Sequence, residues 1–401
     1  MILDISPLRR NREFRLLYIG QLVSLFGSML TYVAVPVQVY NLTQSSFAVG
    51  LLGTVQLVPL LIFALLGGAF ADSMDRRRLL VVSEILQALG SAVLMANSLV
   101  SHPSVILVFV VSAFMSALNG FHRPALDAIT PKLVQREELR AVAALGSLRF
   151  SLSSIVGPAL GGLLIWKVGI ASTYAIDVVS FVVSLIALAS MRAIPGIRKV
   201  KPGLRSIAEG MRYAISRPEL IGTYLVDMLA MTFAMPMALF PAMAAAWGET
   251  WAVSGLYTAM PVGALLATLL SGWTSKVDRH GVFVIFGAVV WGVAIVGLGY
   301  SRSLIAALVF LAIAGAGDNV SVIFRGAIWN ETIPGELRGR LAGVEMISYL
   351  SGPMLGNTRA GWVASITSNR YSIVSGGVIC LIGVLLCIPL LPSFWRYRRV
   401  V

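Results

Sequence analysis

The sequence predicts an all-α membrane protein in which twelve transmembrane helices form two pseudo-symmetric six-helix bundles. Three observations carry this prediction: an apolar composition, an uneven distribution of basic residues, and an internal repeat. The chain has 401 residues, of which 57% are hydrophobic and 12% charged, and its mean hydropathy is +0.85. Soluble domains carry about 25% charged residues, so this composition excludes an ordinary soluble domain, and it is too apolar for a disordered chain.

Twelve apolar runs account for most of the chain. A transmembrane helix needs about 20 mostly apolar residues, and these runs reach that length. Strands of a membrane barrel would be about 10 residues long with alternating polarity, so the runs favour helices. They occupy 15–40, 48–71, 79–100, 104–129, 139–166, 171–192, 219–245, 251–274, 281–300, 303–330, 341–366 and 372–391.

The 31 Lys and Arg residues divide unevenly between the two ends of these runs. One set of ends carries 24 of them, whereas the opposite set carries only Lys167, Arg302 and Arg370. Because Lys and Arg concentrate in cytoplasmic loops, both termini and the stretch 193–217 are predicted to be cytoplasmic. The net charge of +13 then follows from membrane topology, and we expect no nucleic-acid partner.

The two halves of the sequence repeat each other. The segment GPALG at 157–161 recurs as GPMLG at 352–356, and ELR at 138–140 recurs at 336–338. Paired halves of this kind are typical of secondary transporters. We therefore divide the chain into an N-terminal bundle (1–192), a cytoplasmic linker with a short amphipathic helix (193–217) and a C-terminal bundle (218–401).

The loop after the second run carries a family resemblance. Residues 68–78, GAFADSMDRRR, resemble the signature between helices 2 and 3 of the major facilitator superfamily. The resemblance implies the major facilitator fold and a latch on the cytoplasmic side. In that latch the Asp72 carboxylate would face the positive end of a neighbouring helix dipole, with Gly68, Arg76 and Arg77 as further gating residues. The alternative is that these arginines only set the topology.

The fifth run carries a second motif. Ser153, Gly157, Pro158, Gly161 and Gly162 resemble the antiporter signature of drug/proton exporters in the superfamily. Small residues at this spacing allow close approach of helix backbones, and the proline bends its helix. The resemblance assigns the motif a conformational role in which the fifth helix packs on the eighth. The alternative is ordinary tight packing of helices.

Segments elsewhere narrow the resemblance to one branch. NREFR at 11–15, LTQSS at 42–46, IDVVSF at 176–181 and LRGR at 337–340 are similar to the branch that holds bacterial enterobactin, macrolide and tetracycline exporters. This implies a monomeric, multi-pass protein of the bacterial cytoplasmic membrane that exports a small amphipathic molecule, such as a siderophore or antibiotic, by proton antiport. A catecholate siderophore, a macrolide and a dye all fit the pattern. An uptake carrier or an uncoupled facilitator of the same fold is the alternative.

Ionisable side chains inside the runs are candidates for proton coupling. A charge at the bilayer centre costs at least about 2.5–3.5 kcal/mol, so each such residue needs a structural or functional explanation. Asp227 and Asp318 are the deepest acids in the seventh and tenth runs. An apolar site favours the neutral form of a carboxyl group, so at least one of these two is expected to exchange a proton. Asp127 and Glu345 are further candidates.

Other polar and adaptable side chains in the runs are candidates for the substrate path. Methionine adapts its shape to varied ligands, and amide or guanidinium groups at depth suit a lining of mixed polarity, although packing explains each of them equally well. The candidates are Gln21, Gln56, Arg123, Arg149, Met231, Phe233 and Arg325.

The sequence indicates no enzyme. A GxxxxGK[S/T] phosphate loop and an HExxH metal motif are both absent, and the three histidines, His102, His122 and His280, are widely separated. We therefore expect no catalytic residues, no metal and no cofactor. The expected partners are a small-molecule substrate, protons and the lipid bilayer.

Overall fold

The computed structural model describes residues 4–73, 76–192, 211–248, 251–334 and 337–399. Within its helices, the side chains of residues 65–73, 76, 128, 338–340, 342–344, 346 and 347 lie outside the description. The residues so described are helical or in turns, with no strand among them. Of the predicted linker helix, only the helical residues 211–215 fall inside the described part.

The long helices follow the predicted apolar runs closely. Their bounds are α1 (Ser6–Arg10), α2 (Arg12–Thr43), α3 (Ser46–Ser73), α4 (Arg76–Leu99), α5 (Val105–Ile129), α6 (Leu139–Ala189), α7 (Pro218–Ala234), α8 (Phe240–Ala246), α9 (Ala252–Leu269), α10 (His280–Tyr300), α11 (Leu304–Thr332), α12 (Arg338–Ile366), α13 (Asn369–Leu390) and α14 (Pro392–Trp395).

Ten stretches of the described chain are long and apolar enough to cross a membrane. One of them, Arg136–Ala189, is 54 residues long and contains two helical arms, because Gly169 interrupts α6 with φ 86° and ψ 169°. The long helix α12 lies outside those ten and follows α11 in the position of the eleventh predicted run. The order of helices therefore agrees with the predicted twelve-helix fold.

Serine side chains begin three of the long helices. Ser104, Ser303 and Ser368 precede α5, α11 and α13, and each hydroxyl accepts a hydrogen bond from the backbone N–H three residues later. The first N–H groups of a helix have no partner within it, and such caps typically contribute about 1 kcal/mol. Polar residues at the run boundaries thus fix where these spans start.

The chain forms two compact units. The first comprises Met1–Thr43 and Val55–Lys201, and the second comprises Gln44–Thr54 and Pro202–Val401. In the first unit, α2 packs along α6, and α4 packs on α5 and α6. Arg77 donates from Nε to the Leu188 carbonyl (2.7 Å) and from Nη2 to the Ala189 carbonyl (2.6 Å). It thereby satisfies two carbonyls at the end of α6, where a helix favours a positive charge.

In the second unit, α10 and α11 pack together, α9 packs on α11, and α12 packs on α7. Pro236 follows the end of α7, where the backbone becomes extended at Met235. The first part of α3 also belongs to this unit: the Thr54 and Thr358 hydroxyls are 2.8 Å apart, and the Thr358 hydroxyl donates to the Gly50 carbonyl at 2.8 Å.

The bend in α6 depends on the backbone conformation of one glycine, Gly169, and this makes a prediction about stability. The backbone of Gly169 lies in a region that is essentially restricted to glycine and costs other residues about 1–3 kcal/mol. We expect Gly169→Ala to lower the free energy of unfolding by that amount, measured in detergent micelles. Gly146→Ala is the matched control, since it lies in the helical part of α6 and an added Cβ would also meet no atom within 4 Å. Equal stability of the two variants would contradict this prediction.

Candidate functional site: a buried arginine between two aspartates

A buried ion cluster lies in the second unit, where Arg325 of α11 contacts two aspartates. Its Nη1 forms an ion pair with Asp227 of α7, and its Nη2 lies 3.4 Å from an Asp318 carboxylate oxygen. The side chains of Arg325 and Asp227 are 7% and 10% exposed, whereas that of Asp318 is 33% exposed. We refer to these three residues as the Arg325 triad.

The helices explain how the triad assembles. Asp318 and Arg325 are seven residues apart on α11, which is two helical turns and therefore the same face. Asp227 reaches Arg325 from α7, a helix that also packs on α11. The sequence predicted that at least one of Asp227 and Asp318 exchanges a proton, and it placed Arg325 on the substrate path. The structure brings all three together.

The charges of the triad do not cancel. One guanidinium faces two carboxylates, so the cluster carries a net charge of −1 when both acids are ionised. An uncompensated charge in a low-dielectric interior is costly, and a buried group tends to neutralise instead. Binding one proton makes the triad neutral. Asp227 holds the close ion pair, and Asp318 is the more distant and more exposed acid, so the arrangement suits a proton on Asp318.

The other predicted coupling acids lie elsewhere. Asp127 is exposed on α5 in the first unit, where it interacts electrostatically with Arg123, Arg149 and His122. Glu345 is partly buried on α12 in the second unit and interacts with Tyr224 of α7.

The predicted substrate-path residues do not form a single lining. Gln21 donates to Glu84 inside the first unit, and the Gln56 carbonyl accepts from Ser116 at 2.8 Å. The Phe233 carbonyl accepts from Arg359 at 3.3 Å. Arg149 is partly buried on α6, and its Nε atom has no hydrogen-bond partner. The remaining ones are Arg123, exposed on α5, and Met231, buried on α7.

The predicted gating residues divide into two groups. The side chains of Gly68, Asp72 and Arg76 lie outside the described part of the chain, and Arg77 caps α6 as described above. The motif residues Gly157, Pro158, Gly161 and Gly162 are all buried on α6.

Both copies of the glycine–proline motif pack on the first long helix of their own half. A Cβ added to Gly157 would overlap the Cβ of Met29 on α2, and one added to Gly161 would lie 3.4 Å from the Leu30 Cα. In the second half, a Cβ on Gly356 would overlap the Met231 carbonyl oxygen of α7. Met231 is therefore a packing residue against α12. The small residues hold two helix pairs in close contact, and the pairs are related by the sequence repeat.

The sequence interpretation missed how fully one further carboxylate is enclosed. Asp177 of α6 is fully buried and accepts hydrogen bonds from the hydroxyls of Thr31 (2.5 Å), Ser91 (2.7 Å) and Ser180 (3.3 Å). These donors come from α2, α4 and α6 itself. In the sequence, the only indication was that these hydroxyl residues lie within apolar runs. Which acid they contact depends on how the three helices pack together.

Comparisons with known proteins agree with this architecture. The sequence profile of the family described as transmembrane secretion effector, of the major facilitator superfamily, matches residues 3–394. An enterobactin exporter of Shigella boydii is 28% identical over 401 residues, covering 99% of this chain and 96% of the relative. An enterobactin exporter of Citrobacter koseri is 27% identical with the same coverage.

Solved transporter structures share the fold. A bacterial homologue of the human lysosomal transporter Spinster superposes with a TM-score of 0.78 at 13% identity, covering 99% of each chain. The nucleoside transporter NupG superposes with a TM-score of 0.71 at 14% identity, covering 95% of this chain and 98% of its own. At these identities the likeness concerns the fold alone.

The Arg325 triad makes a prediction about stability. Arg325→Met leaves two carboxylates without their cation, and removing one partner of a buried ion pair costs about 3–5 kcal/mol. We expect a loss of this size in the free energy of unfolding. The double variant Arg325→Met, Asp227→Asn should recover part of it, because the buried carboxylate then carries no charge. Strictly additive effects would contradict the pairing, since contacting residues show coupling energies of about 0.5–3 kcal/mol.

The glycine motif makes a second prediction, with a matched control on the same helix. We expect Gly157→Ala to push α6 away from α2 and to reduce both thermal stability and transport, because the added Cβ would meet the rigid Cβ of Met29. Gly161→Ala adds the same methyl group at ordinary contact distance, so it should behave like the unaltered protein. Thermal unfolding and transport assays of both variants decide the outcome. A tolerated Gly157→Ala would show that the close approach is unnecessary.

Proposed function

Because the chain belongs to the transmembrane secretion effector family of the major facilitator superfamily, we propose that it is a proton-driven secondary exporter. Its substrate is a small amphipathic molecule, and export proceeds by alternating access. The observation that carries the proposal is the Arg325 triad, which holds two carboxylates against one guanidinium in the interior of a membrane domain.

The proposed coupling assigns different tasks to the two aspartates. Asp227 anchors Arg325 through the close ion pair, and its side chain is 10% exposed. Asp318 carries the exchangeable proton, because its side chain is 33% exposed and its contact with Arg325 is longer, at 3.4 Å. Asp318 is therefore the more accessible of the two carboxyl groups. Asp127 and Glu345 stand outside this arrangement as secondary candidates.

The relatives suggest the class of substrate. Enterobactin exporters match this chain over 99% of its length at 28% identity, so we propose a siderophore, with an antibiotic as the next class to test. Thermal-shift screening of the purified protein against siderophores and antibiotics would identify the ligand. A ligand that binds only the folded state stabilises it by RT ln(1 + [L]/Kd), which is about 2.7 kcal/mol at 100 times Kd.

The basic residues support a topology for this exporter. We propose that both termini and the 193–217 linker between the halves 1–192 and 218–401 are cytoplasmic, in the cytoplasmic membrane of a bacterium, and that the protein works as a monomer. Gly68, Asp72, Arg76 and Arg77 would form the cytoplasmic latch. The carbonyl contacts of Arg77 support a role for this region in holding helix ends together.

Proton coupling predicts a distinctive phenotype for Asp318. In inside-out vesicles with an acidic interior, the unaltered protein should accumulate substrate against its gradient. Asp318→Asn keeps the shape of the side chain but removes its proton site, so gradient-driven accumulation should fall to the background. Substrate binding and passive exchange should survive, because the variant triad stays neutral without a proton.

The matched control is Glu331→Gln on the same helix, which removes a carboxylate that contacts Tyr397 and His280 instead of the triad. It should retain accumulation. If Asp318→Asn still accumulates substrate, Asp318 does not couple the proton. If an acidic interior drives substrate out of these vesicles instead, the protein is an uptake carrier. Movement that ignores the proton gradient would identify an uncoupled facilitator.

A further inference from the structure

A second buried carboxylate lies in the first unit, apart from the Arg325 triad. Glu84 of α4 is 0% exposed. Its Oε1 accepts a hydrogen bond from the Gln21 amide of α2 and lies 3.4 Å from Nε2 of His122 on α5. Its Oε2 is buried and has no hydrogen-bond partner. Three helices thus meet at one carboxyl group whose second oxygen is unsatisfied.

The charge balance at Glu84 depends on a proton. If Glu84 is ionised and His122 is neutral, the pair has a net charge of −1 in a fully enclosed position, which is costly. One added proton makes the pair neutral in either of two ways. It can rest on Oε2 of Glu84, the oxygen that now lacks a partner, or on the His122 ring, which then forms an ion pair with the carboxylate.

We propose that Glu84 and His122 together bind one exchangeable proton, which gives the first unit a proton site of its own. The proton comes from water and returns to water, and no other bond forms or breaks. His122 is the more accessible member of the pair, because its side chain is 14% exposed whereas that of Glu84 is 0% exposed.

The other charged groups around the pair interact with partners of their own. From α2 the facing polar group is the neutral amide of Gln21, which is 4% exposed. The neighbouring charged residues are Arg123 and Asp127 on α5 and Arg149 on α6. Asp127 interacts electrostatically with both arginines and with His122. The other acid facing α4 from α6 is Asp177, which contacts Ser91, two turns beyond Glu84, and is satisfied by hydroxyl donors.

The histidine content of the chain allows a direct test. The protein has three histidines, so ring-nitrogen NMR signals of labelled protein in lipid nanodiscs can be assigned with single His→Gln variants. In Glu84→Gln, the ring-nitrogen signals of His122 should shift, because the ring loses the carboxyl group that lies 3.4 Å from its Nε2.

Asp177→Asn is the matched control, since it removes another buried carboxylate of the first unit without touching the pair. It should leave the His122 signals in place. Identical His122 signals in the unaltered protein and in Glu84→Gln would overturn the proposal.

A second variant keeps the test decisive if Glu84→Gln folds poorly. In His122→Gln the carboxyl group loses its imidazole partner, and the proposed proton can then rest only on the carboxyl group. Infrared spectra should then show the carbonyl stretch of a carboxylic acid, and this band should be lost in the double variant Glu84→Gln, His122→Gln. Absence of the band would also overturn the proposal. Neither measurement uses substrate or a gradient, so both outcomes are independent of the Asp318 experiment.

Discussion

A charge enclosed in an apolar interior needs a compensating group, and this constraint governs the polar structure of both units. Arg325 meets two carboxylates, and Glu84 meets an amide and an imidazole. Asp177 is held by three hydroxyl donors, and the Arg359 guanidinium donates to the carbonyls of Phe233 and Ser372. Each solution draws on more than one helix. The buried charges therefore also fix which helices lie together.

The buried charged groups differ in whether a charge or a hydrogen-bonding atom is left without a partner. Asp177 has a hydroxyl donor at both carboxylate oxygens, and the Arg359 guanidinium donates to carbonyl oxygens. The Arg325 triad instead combines two acids with one base, and Glu84 has one oxygen without a donor, at which a proton would displace no hydrogen bond. Burial alone does not distinguish Glu84 from Asp177, since both are 0% exposed.

The sequence was sufficient for the fold and for part of the site. Apolar runs of membrane length predicted the helices, and the turn between the fifth and sixth runs falls at Gly169, whose φ is 86°. The contact between Asp318 and Arg325 follows from their spacing on one helix. The sequence did not predict the ion pair between Asp227 and Arg325. Hydrophobic periodicity shows which residues share a face of one helix, but it does not show which helix packs against that face. For the same reason, Met231 could not be assigned to packing until α12 was placed beside α7.

Both proposed proton sites lie wholly within one unit, the triad in the second and the Glu84–His122 pair in the first. Their charge balance therefore involves only residues of that unit. In alternating access by largely rigid bodies, such internal pairs persist while the exposure of the site to water changes. Under the proposed coupling, the proton exchanges at the more exposed member of each cluster, Asp318 or His122. The better-enclosed Asp227 and Glu84 make the internal contacts of each cluster. On this proposal, the graded exposure within each cluster matters as much for coupling as the acids themselves.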